Sequence, residues 1–273
     1  MHLRDASNDQ RKKMANWTIA AFTHRGRVRP HNEDAVAIGD HILTGDMDSP
    51  LVITAQTGCA LLLIADGMGG HAQGAMASRA VLDYLVAAAD RLSHPAICAE
   101  VIEEANQQLF KLMREDEHAI GMGTTLVGAV LAANRVVTFN VGDSRCYLFS
   151  ADQLVQLSQD DVPEGNTNQF GVRRSHALTQ ALGGSWFPTA VEPHISVDPP
   201  LAAGETLILC SDGLTDMVDN QTIRNTLMTA KSPLQAARTL VAEAFRFGGG
   251  DNVSLIIAQP LKPELVIPGL GAA

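Results

Sequence analysis

Five aspartates stand at the ends of apolar stretches in this 273-residue sequence. Asp66 follows "LLLIA", Asp143 follows "VVTFNVG", Asp212 follows "LILCS", Asp251 precedes "NVSLII", and Asp34 precedes "AVAI". A single aspartate at a strand end is ordinary turn chemistry. When several carboxylates converge at the ends of one sheet system, they repel one another unless a cation neutralises them. The repeated arrangement therefore indicates a metal site.

The residues around these aspartates indicate which metal and which reaction. Carboxylate oxygens without histidine or thiolate suit Mg²⁺ or Mn²⁺ rather than Zn²⁺ or copper. The glycines of "DGMGGHAQG" let loop backbone approach a cation, and a glycine carbonyl can itself be a ligand. Two such ions about 3.5–4 Å apart acidify a bridging water and hold phosphoryl oxygens for in-line attack. Arg29, in "RPHNED", is the type of cation that binds phosphate through two parallel hydrogen bonds.

The elements that must position these residues are strands in runs and helices in pairs. Helical spacing of apolar residues predicts helices over 72–92 and about 96–118, and Ser232-Pro233 predicts the start of a third. Residues 158–176 are polar and irregular. Strict strand–helix alternation is missing, which favours an α+β fold with antiparallel sheets. Strands are predicted over 17–26, 34–39, 58–66, 123–149, 205–214 and 251–259.

Composition excludes several classes of function. A formal net charge of −10 argues against nucleic acid as a partner. No stretch reaches the roughly 18 apolar residues of a membrane span, and the first 16 residues lack the apolar region of a signal peptide. The four cysteines form no CxxC pair, so we expect reduced thiols and a cytoplasmic protein.

Six ordered motifs resemble a known family. The chain resembles the metal-dependent serine/threonine protein phosphatases of the PP2C type, in their bacterial form. The resemblance implies a sandwich of two antiparallel β-sheets flanked by pairs of α-helices, spanning 17–259. Residues 1–16 would then be a flexible segment and 260–273 a C-terminal tail. The motifs are "RPHNED", "ADGMGGHAQG", "MGTTL", "VGDSR", "SDGL" and "GGGDN".

The resemblance also implies two Mn²⁺ or Mg²⁺ ions per chain and a role for each ligand. Asp66 would bridge both ions, and the carbonyl of Gly67 would bind one of them. Asp212 and Asp251 would complete the pair of sites. Asp34 would act through a metal-bound water.

Further residues match the family in its bacterial form. Asp143, together with Asp212, would hold a third ion, and Arg29 would bind the phosphate. The threonines of "MGTTL" are expected to be structural, and Ser144 and Arg145 are expected to support the site by packing.

The sequence departs from the family at two places. Met68 stands where eukaryotic relatives carry a histidine proposed as the general acid, and we expect His71 not to replace it. The segment between Asp160 and Leu178 is shorter than the flap of bacterial relatives. Arg173 and Arg174 in this segment are expected to be solvated. Trp17 and Trp186 are expected to pack in the core or at a sheet edge.

From the aspartates, Arg29 and the family resemblance, we predict that the protein hydrolyses phosphoserine and phosphothreonine in proteins, with a water that bridges the metals as the nucleophile. A cognate serine/threonine kinase and a monomeric state are expected. Two alternatives stay open: a catalytically weak phosphoprotein-binding scaffold, and a phosphatase of small phosphorylated metabolites. The sequence "DMDSP" superficially resembles a haloacid-dehalogenase nucleophile motif, but the stretch before it is short and poorly apolar, so a loop is predicted.

Overall fold

Two antiparallel six-stranded β-sheets form the centre of the computed structural model, which describes residues 16–55, 58–70, 72–165 and 175–261. The first sheet has the order β11 (Gln153–Gln156), β10 (Arg145–Ser150), β14 (Thr206–Cys210), β15 (Val253–Pro260), β1 (Trp17–His24) and β4 (Leu51–Ala55). The second has the order β13 (His194–Asp198), β9 (Arg135–Val141), β8 (Leu126–Ala132), β5 (Cys59–Ala65), β2 (Ala35–Ile38) and β3 (His41–Thr44). A small sheet consists of β12 (Leu182–Gly183), β7 (Gly123–Thr124) and β6 (Gly67–Met68).

Helices cover the outer face of each large sheet. The second sheet packs against α1 (Ala72–Ala87), the short α2 (Ala89–Leu92) and α3 (Pro95–Glu115). The first sheet packs against α5 (Asn220–Thr229) and α6 (Pro233–Arg246), which follow the short α4 (Asp212–Thr215). The helix predicted over 72–92 is thus two helices, separated at Ala88. The predicted start of α6 is confirmed, because the hydroxyl of Ser232 accepts a hydrogen bond from the backbone of Gln235.

The central strands are buried on both faces, which explains their continuous apolar sequences. In β5, Leu62 and Ile64 point towards the other sheet, whereas Leu61 and Leu63 point towards the helices. Successive side chains of a strand alternate between faces, so each face of β5 fills a different core. Full burial of one Leu or Ile side chain stabilises the folded state by roughly 1.5–3 kcal/mol. The predicted α+β sandwich is confirmed.

Strand pairing brings strand ends of both sheets together at one end of the sandwich, called here the pole. In the second sheet Ala35 pairs with Ala65, so that Asp34 and Asp66 lie at adjacent strand ends. In the first sheet β14 pairs with β15, and Asp212 follows the former while Asp251 precedes the latter. Residues 142–144 connect β9 of one sheet to β10 of the other. The five aspartates of the sequence therefore enter this pole from both sheets.

The ends of the described chain lie together. The final strand runs to Pro260, one residue beyond the predicted end of the domain, and the backbone of Leu261 donates to the carbonyl of Asn16 at 2.7 Å. The predicted segments 1–16 and 260–273 otherwise lie outside the described residues. None of the helices in the described part of the chain is both long and apolar enough to cross a membrane.

Candidate metal centre and active site

Asp66 is close enough to the other four predicted aspartates for their charges to act on its carboxyl group. The Asp66 residue is partly buried, and desolvation of its carboxyl group raises its pKa well above the ordinary value. The negative charges of Asp34, Asp212, Asp143 and Asp251 raise the pKa further, in that order of strength. Such mutual effects require the groups to be close, because charges that are far apart are screened by solvent.

Asp34 is the buried member of the cluster next to Ser211 and Ser254. Its Oδ2 accepts hydrogen bonds from the hydroxyls of Ser254 at 2.6 Å and Ser211 at 3.0 Å. Its buried Oδ1 accepts none from the described residues. Burial raises the pKa of Asp34 to about 7 although both serine hydrogen bonds lower it, and the charges of Asp212 and Asp251 add to the rise. A buried carboxyl oxygen facing other carboxylates is what a cation or its water shell would satisfy.

The backbone at Asp66 and Gly67 is fixed by the threonines of "MGTTL". The carbonyl of Asp66 accepts from the backbone of Thr125 and from the hydroxyl of Thr124, each at 2.9 Å. The hydroxyl of Thr125 in turn accepts from the backbone of Asp66 at 3.2 Å. A Cβ atom at Gly67 would collide with the carbonyl of Gly74, so only glycine lets β6 approach the first turn of α1 so closely. The structural role predicted for these threonines agrees with the contacts.

Arg29 extends from the loop after β1 to the edge of the cluster. Its Nη2 lies 2.6 Å from Oδ2 of Asp251, and this hydrogen bond raises the pKa of the guanidinium. The Arg29 side chain is about half exposed, so it combines a fixed anchor with donors near solvent. Asn252 holds the same loop, because its side chain donates to the carbonyls of His31 at 2.9 Å and Arg25 at 3.1 Å.

Asp143 is buried on the turn that joins the two sheets. Gly142 has a φ of +96°, a conformation that favours glycine, and its backbone donates to Oδ2 of Asp161 at 2.8 Å. Ser144 shares a hydrogen bond of 2.8 Å with Thr125, which ties this turn to the strand below it. The supporting role predicted for Ser144 is consistent with this contact.

Asp161 supports the Asp143 turn, and the sequence does not predict this role. Besides Gly142, it contacts the side chains of Gln180 at 2.9 Å and His194 at 2.8 Å. It therefore connects the Asp143 turn to the loop before β12 and to the start of β13. An isolated aspartate in an irregular segment gives no pattern from which this role could be predicted.

His176 and Asp216 were also missed. Nδ1 of His176 lies 3.3 Å from Oδ2 of Asp212 and 3.5 Å from Oδ2 of Asp216. These three side chains are close enough together to hold a metal ion. The spacing of four residues between Asp212 and Asp216 in "SDGLTD" is the signal that could have predicted their shared face on α4.

The remaining predicted residues lie outside the site or outside the described residues. Residues 71 and 166–174 lie outside the described residues, and with them His71, Arg173 and Arg174. Trp17 is buried as predicted, with 2% of its surface exposed. The prediction that Trp186 packs in the core or at a sheet edge is wrong, because 79% of it is exposed. It lies in the loop after β12, outside both large sheets.

The residues present fit divalent cations. The cluster offers carboxylate oxygens and a closely approached backbone, and its buried oxygen at Asp34 lacks a donor among the described residues. Hard oxygen donors of this kind suit Mn²⁺ and Mg²⁺. A cleft of about 740 Å³ opens from Asp143 and Asp212 towards the loop after β12. The arrangement is that of a metal-dependent enzyme with an open substrate site.

Comparison with known proteins assigns the family. Residues 47–245 match the family model described as Protein phosphatase 2C. The chain is 32% identical to the serine/threonine phosphatase stp of Listeria welshimeri over 256 residues, which cover 87% of this chain and 93% of that protein. The chain belongs to the protein phosphatase 2C family.

Solved structures agree with this assignment. The serine/threonine phosphatase PstP/Ppp of Mycobacterium tuberculosis superimposes with a TM-score of 0.74 and 31% identity, covering 89% of this chain and 98% of that one. A structure of the catalytic domain of PstP in complex with two manganese ions gives a TM-score of 0.71 and 31% identity, covering 90% and 100%. The family resemblance predicted from the six motifs is confirmed.

Proposed function

We propose that this chain is a manganese-dependent phosphatase that hydrolyses phosphoserine and phosphothreonine in proteins. The observation that carries the proposal is the clustering of strand-end aspartates from both sheets, with Arg29 bound to Asp251 and with Asp143 and Asp212 lining an open cleft. The similarity to the PstP catalytic domain in complex with two manganese ions supports the same conclusion.

The proposed ligands are those expected from the sequence. Asp66, Asp212, Asp251 and the carbonyl of Gly67 would hold two ions, with Asp66 between them. Bound there, divalent cations would supply Lewis-acid activation of water and neutralise charge on the phosphoryl oxygens. The clustering of these buried carboxylates supports this set, since without cations their repulsion has no compensation.

Two residues of the chain would act on the substrate and on water. Arg29 keeps one nitrogen on Asp251 and would donate its remaining N–H groups to the phosphate, which orients the phosphorus for attack. Asp34 has Oδ2 held by two serines, so that Oδ1 is fixed in direction and would accept a hydrogen bond from a water facing the cluster. Asp34 would thus orient the attacking water.

We further propose that Mg²⁺ can replace Mn²⁺ and that Asp143, with Asp212, holds a third ion. The effect of the Asp143 charge on Asp66 supports this position. The ligand atoms of His176 and Asp216 lie close to the Asp212 carboxylate. These side chains would add a nitrogen donor and an oxygen donor to an ion bound there.

The sequence at Met68 suggests which group acts as the general acid. Met68 cannot donate a proton, so we propose that water protonates the leaving alkoxide and that His71 does not. A pH–rate profile unchanged by His71→Ala supports this hypothesis, and a large loss of kcat contradicts it.

The physiological setting is likewise proposed. We propose that 17–259 is the catalytic unit, that it acts as a monomer in the cytoplasm, and that it reverses a cognate serine/threonine kinase. A scaffold role is not favoured, because the clustered buried carboxylates of the predicted site are all present. No observation favours metabolites over phosphoproteins as substrates.

Hydrolysis of a phosphothreonine peptide in the presence of Mn²⁺ tests the proposal. Wild type should release phosphate, the chelator EDTA should abolish release, and Asp212→Asn should abolish it without unfolding the chain. Chelator-insensitive turnover contradicts the metal mechanism. Absence of turnover across several phosphopeptides would favour the scaffold role instead.

A further inference from the structure

Two exposed aromatic side chains flank the proposed active-site cleft. Trp186 and Phe187 are each 79% exposed, more than any other large hydrophobic residue in the described part of the chain. They follow Gly184 and Ser185, which line the cleft that begins at Asp143 and Asp212. Two adjacent exposed aromatic residues beside a binding cleft are typical of an interaction surface rather than of ordinary surface composition.

The loop that carries the aromatic pair is well fixed. The hydroxyl of Ser185 donates to the carbonyl of Phe187 at 2.5 Å and accepts from its backbone N–H at 3.1 Å. The hydroxyl of Thr189 donates to the same carbonyl at 3.2 Å. A loop ordered in this way presents its aromatic side chains at little further entropic cost on binding.

Helix α3 anchors both ends of this loop. The side chain of Asn106 accepts from the backbone of Gly183 at 2.9 Å and donates to the carbonyl of Thr189 at 2.8 Å. Glu103 accepts from the backbone of Val191 at 3.0 Å. The aromatic pair therefore has a fixed position relative to the cleft.

We propose that Trp186 and Phe187 form a docking surface for an apolar side chain of the phosphoprotein substrate. This inference rests on the proposed function, since Gly184 and Ser185, which directly precede Trp186, line the cleft that would take the phosphorylated residue. Met68, the neighbour of Gly67, lines the same cleft. An extended segment rises roughly 3.3 Å per residue, so a docked side chain a few residues from the phosphoresidue can be located by moving it one position at a time.

The charge of the molecule disfavours a lipid surface as the occupant. The net charge is −10, and Asp143, Asp161 and Glu192 line the same cleft, so anionic headgroups would be repelled. A polypeptide can instead use the backbone hydrogen-bonding groups of the loop while one side chain packs on the aromatic pair. A second copy of this chain is the other occupant that the experiment must separate.

Peptide kinetics test the docking surface. The probes are phosphothreonine peptides of Gly and Ser, each with one Leu at one of roughly four positions on either side of the phosphoresidue. Wild type should prefer one Leu position by about tenfold in kcat/KM, mainly through KM. The double variant Trp186→Ala/Phe187→Ala should lose that preference but hydrolyse p-nitrophenyl phosphate as wild type does. Val155→Ala, which truncates an exposed apolar residue on β11, is the matched control and should retain the preference.

Quenching of tryptophan fluorescence gives a second readout that does not depend on turnover. The chain has two tryptophans and Trp17 is buried, so acrylamide mainly quenches Trp186. Binding of a difluoromethylphosphonate analogue of the preferred peptide should reduce the quenching. Quenching that stays unchanged while the analogue inhibits would overturn the inference.

The outcomes separate this inference from the proposed function. Hydrolysis of p-nitrophenyl phosphate without any preference for a Leu position overturns the docking surface alone. Failure to hydrolyse either kind of substrate with Mn²⁺ overturns the proposed function and the docking surface with it. A dimer in analytical ultracentrifugation that the double variant dissociates assigns the surface to a second copy and also overturns the inference.

Discussion

Two regions of the site are built in different ways. The strand-end wall is the set of aspartates Asp34, Asp66, Asp212 and Asp251, of which Asp212 lines the cleft. The loop wall comprises the cleft residues Asp161, Gln180 and His194, together with Trp186, which directly follows the cleft residue Ser185. Buried strands of both sheets position the first wall, whereas side-chain hydrogen bonds from Asp161 to Gln180 and His194 position the second. If the proposed function is correct, we expect the first wall to perform chemistry common to all substrates and the second to select among substrates.

The largest expected effect follows a change at the centre of the strand-end wall. Asp66→Asn should lower kcat/KM roughly 10³-fold for peptides and for p-nitrophenyl phosphate alike, because metal-based charge stabilisation worth several kcal/mol is lost. The same variant should be more stable than wild type in EDTA, since it removes a buried charge from the repelling cluster. Steady-state kinetics and thermal melts measure both effects. A loss confined to one substrate would contradict the distinction between the walls.

The pH dependence of stability without metal should reveal the same repulsion. The pKa of Asp34 is about 7 in the folded state and near 3.8 when unfolded, so the folded state binds more protons between these values. Stability therefore falls as pH rises through this window, by on the order of 3 kcal/mol for this group. Thermal melts in EDTA from about pH 5 to about pH 8 should show a falling Tm. Asp34→Asn should make the dependence shallower, and a Tm that rises with pH would contradict the assignment.

Substitutions of Arg29 test the role of the side chain that contacts Asp251 in the strand-end wall. Arg29→Ala should lower kcat/KM by about 10–100-fold, because it removes charge-assisted hydrogen bonds to the phosphate. The number of Mn²⁺ ions bound should not change, since Arg29 is not a ligand. Arg29→Lys is the matched variant and should recover only part of the activity, because lysine cannot bind in the same bidentate way. Loss of bound Mn²⁺ in either variant would assign Arg29 to the metal centre itself.

The smallest expected effect lies in the loop wall. Asp161→Asn should destabilise the fold by about 1–2 kcal/mol, because an amide cannot accept all the hydrogen bonds that Gly142, Gln180 and His194 make to the carboxylate. Bound Mn²⁺ should stay the same, and hydrolysis of p-nitrophenyl phosphate should fall less than tenfold. A loss as large as that of Asp66→Asn would show that the two walls do not differ in the way proposed.

The strand-end wall could be predicted from the sequence because it follows strong local signals. Continuous apolar runs predict buried strands, and an aspartate at the end of each is visible without coordinates. The short, partly exposed strands β3, β11 and β13 and the polar helix α5 were not predicted, because their weakly apolar sequences resemble loops. In these segments tertiary pairing decides the structure rather than local preference.

The loop wall could not be predicted, since its contacts join residues far apart in polar segments. The contact between Asp161 and His194 crosses 33 residues and follows no periodic pattern. The sequence predicts Trp186 in the core or at a sheet edge, because large aromatic residues are on average largely buried. The position of Trp186 depends on the fold of the loop after β12, which leaves its side chain exposed. This exposed side chain is part of the proposed docking surface.

The number of Mn²⁺ ions bound per chain tests the central claim most directly. Equilibrium dialysis of wild type and of the triple variant Asp66→Asn/Asp212→Asn/Asp251→Asn measures it, with circular dichroism to verify that both are folded. The account predicts at least two ions for wild type and none of comparable affinity for the variant. Equal binding by the two folded proteins, or no binding by wild type, would contradict a metal centre built from the strand ends of both sheets.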